Sequence, residues 1–406
     1  MGDSQLALAG ALAPHYRRFR VAERILLTGH SHQAWPDVAF DGQQQAWLDA
    51  AEFVDGKWAR AAEKATAVKA GYARLLGDKP EHLALGANTH ELVIRWLSAL
   101  DLRARPQLVT TDGEFHAVRR QLARLAEAGL DVVRVAARPV DTLADRLAAA
   151  VSDRTAAAIV SSVLFETAEI VPGLDQIAAA CRHHGAALLV DAYHHLNVVP
   201  FDVTGLGLDD AFMTGGGYKY CQLGEGNAFL RLPPDSRLRP VITGWFAEFE
   251  SVVERRGAGD RRAPIHGVPE TVPYAPGPGA FAGATYDPTS NYRAAAVFDF
   301  FAHQELTPAR LRAVSEAQTM LLEAQLLALD LPPALFKVIP IPPERRAGFL
   351  AARSPHAATI EHRLRAAGIF TDSRGDILRL GPAPYVSEQQ LRDGAAAVGA
   401  TVRELA

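Results

Sequence analysis

The feature that most constrains the fold is an alternation of short apolar segments with amphipathic ones over residues 81–232. Between most of the apolar segments lie helix-length stretches with apolar residues three and four positions apart, such as Val118, Leu122 and Leu125. Strands that alternate with helices in this way form a mostly parallel sheet covered by helices. The strands are predicted at residues 83–86, 107–111, 131–136, 156–163, 186–191, 211–214 and 228–232.

The remainder of the chain predicts a second, smaller domain. Residues 255–287 are rich in Gly and Pro and predict an irregular loop or crossover. After them, apolar periodicity predicts a helix, then a long connecting helix, and then alternating strands and helices. The predicted elements are helices at 291–303, 307–329, 355–367 and 387–402, and strands at 337–341 and 377–380.

The chain length of 406 residues is too great for one ordinary core, so one large and one small domain are expected. We predict an N-terminal segment at 1–50 that packs with the small domain. The large domain is predicted at 51–290, and a connector helix with a small α+β domain at 291–406.

Composition predicts a cytoplasmic enzyme with a small-molecule partner. The net charge of -4 and the lack of a basic run argue against nucleic acid. No segment approaches the roughly 18 uninterrupted apolar residues of a membrane span. Cys181 and Cys221 are too few for a disulfide framework, which favours a reducing compartment. The acidic start, without a positively charged lead-in, does not resemble a signal peptide.

Lys219 is the residue whose surroundings most strongly suggest chemistry. The chain has six lysines, and Lys219 is the one that follows an apolar run and three glycines, in AFMTGGGYKY. A desolvated lysine has a lowered pKa and can attack an aldehyde to form a Schiff base. The alternative is a lysine in a turn whose ammonium group lies in water. Local context alone does not separate the two interpretations.

Asp191 favours the chemical interpretation. It closes the apolar strand AALLVD, and open α/β folds bind ligands at the carboxyl edge of their sheet. A carboxylate at that edge can pair with a protonated pyridine nitrogen, although capping a helix or strand end is its more common use. The sequence of Asp191, one further strand and then Lys219 resembles the layout of fold type I pyridoxal-phosphate enzymes. We therefore predict pyridoxal 5'-phosphate as the cofactor.

Four separated segments resemble the class V aminotransferase superfamily, and within it the kynureninases. DAYHHLNVVPFDV resembles the family's D-x-x-H strand end and its Val-Pro turn, and GGGYKYCQLGEG resembles the lysine segment S-Y-K-Y-L-N-S-G-P-G. RPVITGW resembles R-P-x-L-x-G-W, and ILRLGPAPY resembles I-R-V-A-P-V-P-L-Y. The resemblance implies a fold type I transferase with a mostly parallel mixed sheet.

The resemblance also implies roles for residues around the cofactor ring and phosphate. Thr89 and the backbone of His90 would bind the phosphate, at a helix start where free N–H groups favour an anion. Phe115 would stack on the pyridine ring, although it could equally be a core residue. Ser162 would hydrogen-bond near the phenolic oxygen, and Asp191 would pair with the ring nitrogen.

Further implied residues lie near the phosphate and the lysine. His194 would lie near the phosphate, although spacing does not distinguish it from His195. Tyr218 would contact the phosphate beside Lys219 and is a candidate proton donor. Trp245 and Thr285 would complete the phosphate site from the neighbouring subunit. The family therefore implies a homodimer.

The implied reaction is hydrolytic cleavage of the Cβ–Cγ bond of L-kynurenine or a related amino acid, giving alanine and an aromatic acid. Arg379 would bind the α-carboxylate through two parallel N–H donors, with Arg374 as the competing candidate. The alternatives within the cofactor class are a β-lyase, an epimerase or an aminotransferase. A nucleotide-binding Rossmann enzyme should show G-x-G-x-x-G after its first strand, and this motif is not found there. A non-catalytic module of the same fold, which binds the cofactor or a partner without turnover, stays open as an alternative.

The chain also departs from the kynureninase pattern. The aspartate of F-P-x-D is replaced by Val118, residues 221–223 replace Leu-Asn-Ser, and Glu225 replaces Pro. Residues 246–248 replace an aromatic, Gly and His. GHSHQ replaces G-N-S-L-G and would place His30 and His32 on one side of an extended chain, although no metal site is predicted. The cofactor site is thus better supported than the substrate pocket.

Overall fold

The computed structural model describes residues 5–248 and 272–405. The N-terminal part of the described residues contains a short helix α1 (Leu8–Leu12) and a two-residue strand β1 (Ile25–Leu26). Two longer helices follow, α2 (Val38–Phe53) and α3 (Lys57–Leu76). Together they precede the first strand of the large sheet.

A seven-stranded sheet forms the centre of the large domain. Its strands are β2 (Leu83–Gly86), β3 (Gln107–Thr111), β4 (Asp131–Val135), β5 (Thr155–Ser161), β6 (Ala187–Asp191), β7 (Phe212–Gly216) and β8 (Ala228–Arg231). Their order is β2-β8-β7-β6-β5-β3-β4. Strands β3, β4, β5, β6 and β7 pair with their neighbours in parallel. Strand β8 is antiparallel to both of its neighbours, β7 and β2. The mostly parallel mixed sheet that the sequence predicts is confirmed.

Helices cover both faces of this sheet, which explains why its inner strands are almost entirely buried. The helices between strands are α4 (Thr89–Ser98), α5 (His116–Glu127), α6 (Leu143–Ala150) and α7 (Leu174–His183). Neighbouring residues of β6 enter different cores: Leu189 packs with α4 and α5, and Leu188 packs with α3, α6 and α7. Every residue of β5 is buried, because a strand with helices on both faces meets no water.

The small domain follows two helices, α8 (Thr289–His303) and α9 (Pro308–Leu327). It comprises β9 (Lys337–Val338), β10 (Leu350–Arg353), α10 (Ala357–Ala366), β11 (Ile369–Phe370), β12 (Asp372–Arg374), β13 (Ile377–Leu380) and α11 (Glu388–Arg403). An antiparallel sheet has the order β12-β13-β10-β9. The N-terminal β1 pairs in parallel with β11, so the start of the chain packs on the small domain.

Several boundaries differ from the prediction for local reasons. The strand predicted at 337–341 stops at Val338, because Pro340 and Pro342 cannot donate ladder hydrogen bonds. The sequence analysis missed β10, β11 and β12, which are too short to show alternation. Of the irregular segment predicted at 255–287, residues 255–271 lie outside the described residues. The rest, from residue 272 onward, contains a 3-10 turn at Gly277–Phe281. The domain boundaries at 50 and 290 stay a prediction.

None of the helices in residues 5–248 and 272–405 combines the length and apolar character that a membrane span requires.

A buried ion pair joins β8 to the loop before β2. Arg231 is 2% exposed, and its Nε donates to Asp78 Oδ2 at 2.6 Å. Its Nη1 donates to the backbone carbonyls of Asp209 and Ala211 at 2.6 and 2.7 Å. The guanidinium therefore links the edge of the sheet to the segment that leads into β7.

Replacing Arg231 by Leu should lower the free energy of unfolding by about 3 kcal/mol, because the largely buried Asp78 carboxylate would lose its cationic partner and the carbonyls of Asp209 and Ala211 would lose their donor. Arg154→Leu is the matched control, since Arg154 and Asp131 form an exposed pair at 3.4 Å. That control should change stability by no more than about 0.5 kcal/mol. Urea denaturation followed by circular dichroism measures both. Equal stability of the Arg231 variant and the unmodified protein would contradict this role.

Candidate active site

A cavity of about 410 Å³ lies at the carboxyl ends of the parallel strands. Strand β5 ends at Ser161 and β6 at Asp191, and both residues line the cavity. The walls also contain Tyr193, Phe165 and Glu225. Seven residues singled out from sequence meet here, namely Thr89, His90, Phe115, Asp191, His194, Tyr218 and Lys219.

Lys219 is buried in this cavity, with 4% of its surface exposed. Its Nζ lies 2.8 Å from Nε2 of His194 and 4.4 Å from the ring centre of Tyr193. Burial lowers the pKa of Lys219 to about 7, although the charge of Asp191 opposes the change. At neutral pH a large fraction of the amine is therefore uncharged and able to act as a nucleophile.

The glycines before Lys219 make this burial possible. A Cβ atom on Gly216 would lie 2.4 Å from the hydroxyl oxygen of Tyr193, and one on Gly217 would lie 2.6 Å from Cβ of Leu223. Both contacts are far shorter than van der Waals packing allows. The glycine run is thus required by close packing around the chain that leads to Lys219.

Asp191 is a buried carboxylate with few partners of its own. It is 8% exposed, and its Oδ1 accepts a hydrogen bond from the backbone N–H of Tyr193 at 2.9 Å. Burial raises the pKa of Asp191, against the effects of that hydrogen bond and of the charge on Lys219. A cationic group at the cavity would compensate this carboxylate, as a protonated pyridine nitrogen does.

The N-terminus of α4 provides a site for an anion. The Asn88 side chain caps the helix by accepting a hydrogen bond from the backbone N–H of Glu91 at 2.9 Å. The first N–H groups of a helix have no intrahelical acceptor, and those of Thr89 and His90 stand at the cavity wall. Helix N-termini of this kind favour phosphate.

The structure distinguishes the two neighbouring histidines. His194 lines the cavity, and burial followed by the charge of Lys219 holds its pKa well below the ordinary range, so its ring is neutral. His195 instead packs edge-on against Phe201, with ring centres 4.7 Å apart, and its Nε2 lies 3.3 Å from the carbonyl of Pro200. His194 is therefore the histidine of this pair that contacts Lys219.

The prediction for Ser162 requires correction. Its hydroxyl is buried and donates to the backbone carbonyl of Asp191 at 3.2 Å, whereas Ser161 lines the cavity. Successive side chains of a strand point in opposite directions, so an error of one residue changes which serine faces the site.

Glu114 is a buried carboxyl group that the sequence analysis missed. It accepts hydrogen bonds from the hydroxyls of Thr111 and Ser161, both at 2.6 Å. Burial raises the pKa of Glu114 to about 7. Glu114 could have been found from its position, because it lies three residues after the end of β3, at the same edge of the sheet as Asp191.

Arg379 and Arg374 have different surroundings beside the cavity. Arg379 is 2% exposed, and its Nε and Nη2 donate to the two carboxylate oxygens of Asp372 at 2.6 and 2.7 Å. Arg374 is exposed and lies 3.1 Å from the same carboxylate. Arg379 does not line the cavity but donates to the carbonyl of Phe165, which does.

Trp245 and Thr285 lie away from the cavity of their own chain. They contact each other, with the indole Nε1 donating to the threonine hydroxyl at 3.1 Å, and half of Trp245 is exposed. The resemblance assigns these two residues to the phosphate site of a neighbouring subunit, and that role stays a prediction.

The prediction that His30 and His32 share one side of an extended chain is wrong. The backbone N–H groups of Ser31 and His32 both donate to the carbonyl of Thr28, so the segment is a turn. His30 is buried with Nε2 3.6 Å from Asp372 Oδ1, whereas His32 is exposed and stacks on Tyr218 at 5.0 Å. Across residues 5–248 and 272–405, no group of three or more metal-ligating side chains could hold a metal ion.

Two segments that depart from the kynureninase pattern contact each other. Gln222 Nε2 donates to the side-chain oxygen of Gln33 at 2.7 Å, and the hydroxyl of Tyr16 donates to Gln222 Oε1 at 2.5 Å. His32 Nε2 lies 3.6 Å from Glu225 Oε1. The segments around residues 30–33 and 221–225 therefore form one coupled region beside Tyr218.

These residues fit pyridoxal 5'-phosphate. The cavity contains a lysine whose amine is partly uncharged at neutral pH, a buried carboxylate beside it and a helix N-terminus. A nucleophilic amine, a partner for a pyridine nitrogen and an anion site are what that cofactor requires. The fold and the site together define the class of fold type I pyridoxal-phosphate enzymes.

Two family models match the chain. Residues 61–244 match aminotransferase class-V, and residues 311–398 match the kynureninase C-terminal domain. The chain thus has a segment similar to class V aminotransferases, followed by one similar to the kynureninase C-terminal domain. Its cofactor is pyridoxal 5'-phosphate, and it is a pyridoxal-phosphate-dependent enzyme.

Individual relatives are distant. The chain is 23% identical over 352 residues to the uncharacterized aminotransferase YcbU of Bacillus subtilis (strain 168), covering 86% of each chain. It is 28% identical over 183 residues to isopenicillin N epimerase of Streptomyces clavuligerus, covering 43% of this chain and 45% of the epimerase.

Solved structures share the fold. The cystine C-S lyase C-DES, in complex with cysteine persulfide, has a TM-score of 0.77 at 18% identity over 94% of this chain and 98% of its own. A cysteine desulfurase from Thermococcus onnurineus NA1 has a TM-score of 0.77 at 15% identity, covering 97% and 98%.

The lowered pKa of Lys219 can be tested in cofactor-free protein by reductive methylation with formaldehyde. Methylation of Lys219 should increase as the pH rises through about 7, because the amine must lose its proton to react. Mass spectrometry of the Lys219 peptide measures the reaction, and the exposed Lys337 is the internal reference for the reagent. An increase only near pH 10, as for a lysine in water, would contradict the effect of burial.

Proposed function

We propose that this protein is a kynureninase-like hydrolase that cleaves the Cβ–Cγ bond of L-kynurenine or a related amino acid, giving alanine and an aromatic acid. The observation that carries the proposal is the kynureninase C-terminal domain at residues 311–398, which contains Arg379. Arg379 is close enough to Lys219 for its charge to contribute to the lowered pKa of the lysine. An amino acid held by its carboxylate at Arg379 would therefore lie near the Lys219 amine.

The proposed roles begin with binding and proton transfer. Arg379 binds the α-carboxylate, and Lys219 accepts the α-proton, because a base with a pKa near 7 is effective at neutral pH. Asp191 holds the proton on the pyridine nitrogen through its buried negative charge. When bound, pyridoxal 5'-phosphate supplies an electron sink for the negative charge that develops at Cα.

Cleavage then consumes one water molecule. The hydroxyl group of the water bonds to the γ-carbonyl carbon, and the Cβ–Cγ bond breaks with its electron pair going to Cβ. Cβ receives a proton, the second hydrogen of the water replaces that proton on the donor, and Lys219 returns the α-proton to Cα. Tyr218 lines the cavity, and burial followed by the charge of Asp191 raises its pKa, so its hydroxyl stays protonated. It is the proposed donor of the proton to Cβ. The neutral His194, 2.8 Å from Lys219, orients the amine between these steps.

The proposal includes a homodimer in which Trp245 and Thr285 reach the phosphate of the other subunit. Exposed apolar side chains near Trp245 support the proposal that a second subunit covers this surface. Val241 is 81% exposed and Ile242 is 51% exposed. Apolar surface of this kind is commonly buried in subunit contacts. Sedimentation of the cofactor-bound protein as an active monomer would contradict the dimer.

The proposal also includes a cytoplasmic location. Support comes from Cys181 and Cys221, which are buried and not joined in a disulfide. Recovery of the protein from an oxidising compartment would contradict this part of the proposal.

The reaction can be tested by incubating the cofactor-bound protein with L-kynurenine. We expect equal amounts of alanine and anthranilic acid, measured by chromatography. Lys219→Ala should lower the rate by about 10²–10⁴-fold, the usual contribution of a positioned acid or base. Lys337→Ala is the matched control and should keep the full rate, since Lys337 is exposed on β9.

Other products would contradict the hydrolase and identify an alternative. Pyruvate released from sulfur amino acids would indicate a β-lyase. Conversion of an L-amino acid to its D-form would indicate an epimerase, the activity in the name of the 28% identical relative. Transfer of the amino group to a keto acid would indicate an aminotransferase.

A further inference from the structure

The side chain of Arg379 is held on three sides in the small domain. Asp372 accepts from its Nε and Nη2, and the carbonyl of Phe165 accepts from its Nη1 at 2.6 Å. The guanidinium also lies over the ring of Phe349, 5.6 Å from the ring centre. An arginine side chain normally has considerable rotamer freedom, and these contacts remove most of it.

The donors of Arg379 show which part of the guanidinium is still available. A guanidinium has five N–H groups, and the contacts above use three of them. Asp372 occupies the edge formed by Nε and Nη2. One N–H remains on Nη1 and one on Nη2, away from the edge that Asp372 occupies. Two parallel donors on one edge match the two oxygens of a carboxylate.

His30 lies behind the Asp372–Arg379 pair. Its ring is fully buried, with Nε2 3.6 Å from Asp372 Oδ1 and its centre 4.5 Å from that of Phe349. Burial, followed by the charge of Arg379, lowers the pKa of His30 to about 4, so the ring is neutral. Burial acts to raise the pKa of Asp372, but contacts with His30 and Arg379 hold it well below its ordinary range.

The backbone provides a specific place for this histidine. Gly29 donates to the carbonyl of Gly381 at 2.8 Å, and Gly381 donates to the carbonyl of Leu27 at 2.7 Å. A Cβ atom on Gly381 would lie 2.3 Å from Nδ1 of His30. The N-terminal segment thus fits against the end of β13, and the absence of a side chain at position 381 leaves room for the imidazole.

We propose that Asp372 and His30 are positioning residues that fix Arg379 so that its two remaining N–H groups, one on Nη1 and one on Nη2, bind the α-carboxylate of the substrate. The inference deepens the proposed function and rests on it only in requiring a substrate with a free α-carboxylate. Asp372 acts through Arg379, and His30 acts through Asp372. His30, the first histidine of the GHSHQ segment that departs from the family pattern, thus has a proposed role.

Two opposing effects decide what a substitution at Asp372 would do. Asp372→Asn removes a negative charge beside Arg379, which alone would strengthen attraction to a carboxylate. It also turns one acceptor into an amide N–H that faces the donors of Arg379, so the guanidinium must rotate and lose its alignment. Bidentate, charge-assisted hydrogen bonds depend strongly on alignment, and we expect this second effect to dominate.

The test compares the affinities of the cofactor-bound protein for two probes, L-alanine and L-alaninamide. The amide keeps the amine but lacks the carboxylate, and each affinity is measured from the absorbance change of the bound cofactor. Asp372→Asn should weaken L-alanine binding about tenfold, the loss of one charge-assisted hydrogen bond, and leave L-alaninamide unchanged. Asp376→Asn is the matched control, since Asp376 is exposed and pairs with Arg353.

Different outcomes separate positioning from other roles. Unchanged or tighter L-alanine binding by Asp372→Asn would overturn the proposal, because Asp372 would then act only as a competing charge. Equal weakening of both probes would also overturn it, since a general structural defect affects both. His30→Phe keeps the ring packing but loses Nε2, which lies 3.6 Å from Asp372 Oδ1 and so makes a polar contact longer than a hydrogen bond. It should weaken L-alanine binding alone by about threefold, less than Asp372→Asn.

Restoration by a conservative change provides a further check. Asp372→Glu keeps both acceptors and should retain more L-alanine affinity than Asp372→Asn. Because L-alanine binding does not require turnover, the experiment is independent of the kynurenine assay. A protein inert to L-kynurenine can still show the predicted difference between the probes, so the two proposals fail separately.

Discussion

Burial of the Lys219 amine is the constraint on which the rest of the site depends. A solvated lysine would be charged at neutral pH, whereas burial brings its pKa to about 7. That burial requires Tyr193 beside the amine, and Tyr193 in turn requires the missing side chain at Gly216. Asp191 limits the effect by stabilising the ammonium form. The chemistry of the lysine thus follows from close packing at the end of β7.

Much of the large domain could be predicted from sequence because its physical signals are local. Buried parallel strands are continuous apolar runs, and β2 and β3 were predicted with the bounds that the structure has. Asp191 and Lys219 could be paired because the carboxyl ends of parallel strands meet at one edge of a sheet. The small domain was harder, since a strand such as β10, with the sequence LAAR, carries no periodic signal.

The parts of the site that sequence reasoning missed depend on contacts between distant segments. Glu114 and Ser161 belong to different strand ends, and their hydrogen bond cannot be inferred from spacing. His30 and Asp372 come from opposite ends of the chain and meet because β1 pairs with β11. Ser162 was assigned to the site by resemblance, but its hydroxyl donates to the carbonyl of Asp191, and Ser161 is the serine that lines the cavity.

The most direct test of this account is to treat the cofactor-bound protein with borohydride, digest it and locate the cofactor by mass spectrometry. The account predicts a yellow protein that loses its colour on reduction, with the reduced cofactor covalently attached to Lys219 in stoichiometric amount. A colourless protein with no attached cofactor, or attachment at a lysine other than Lys219, would contradict it.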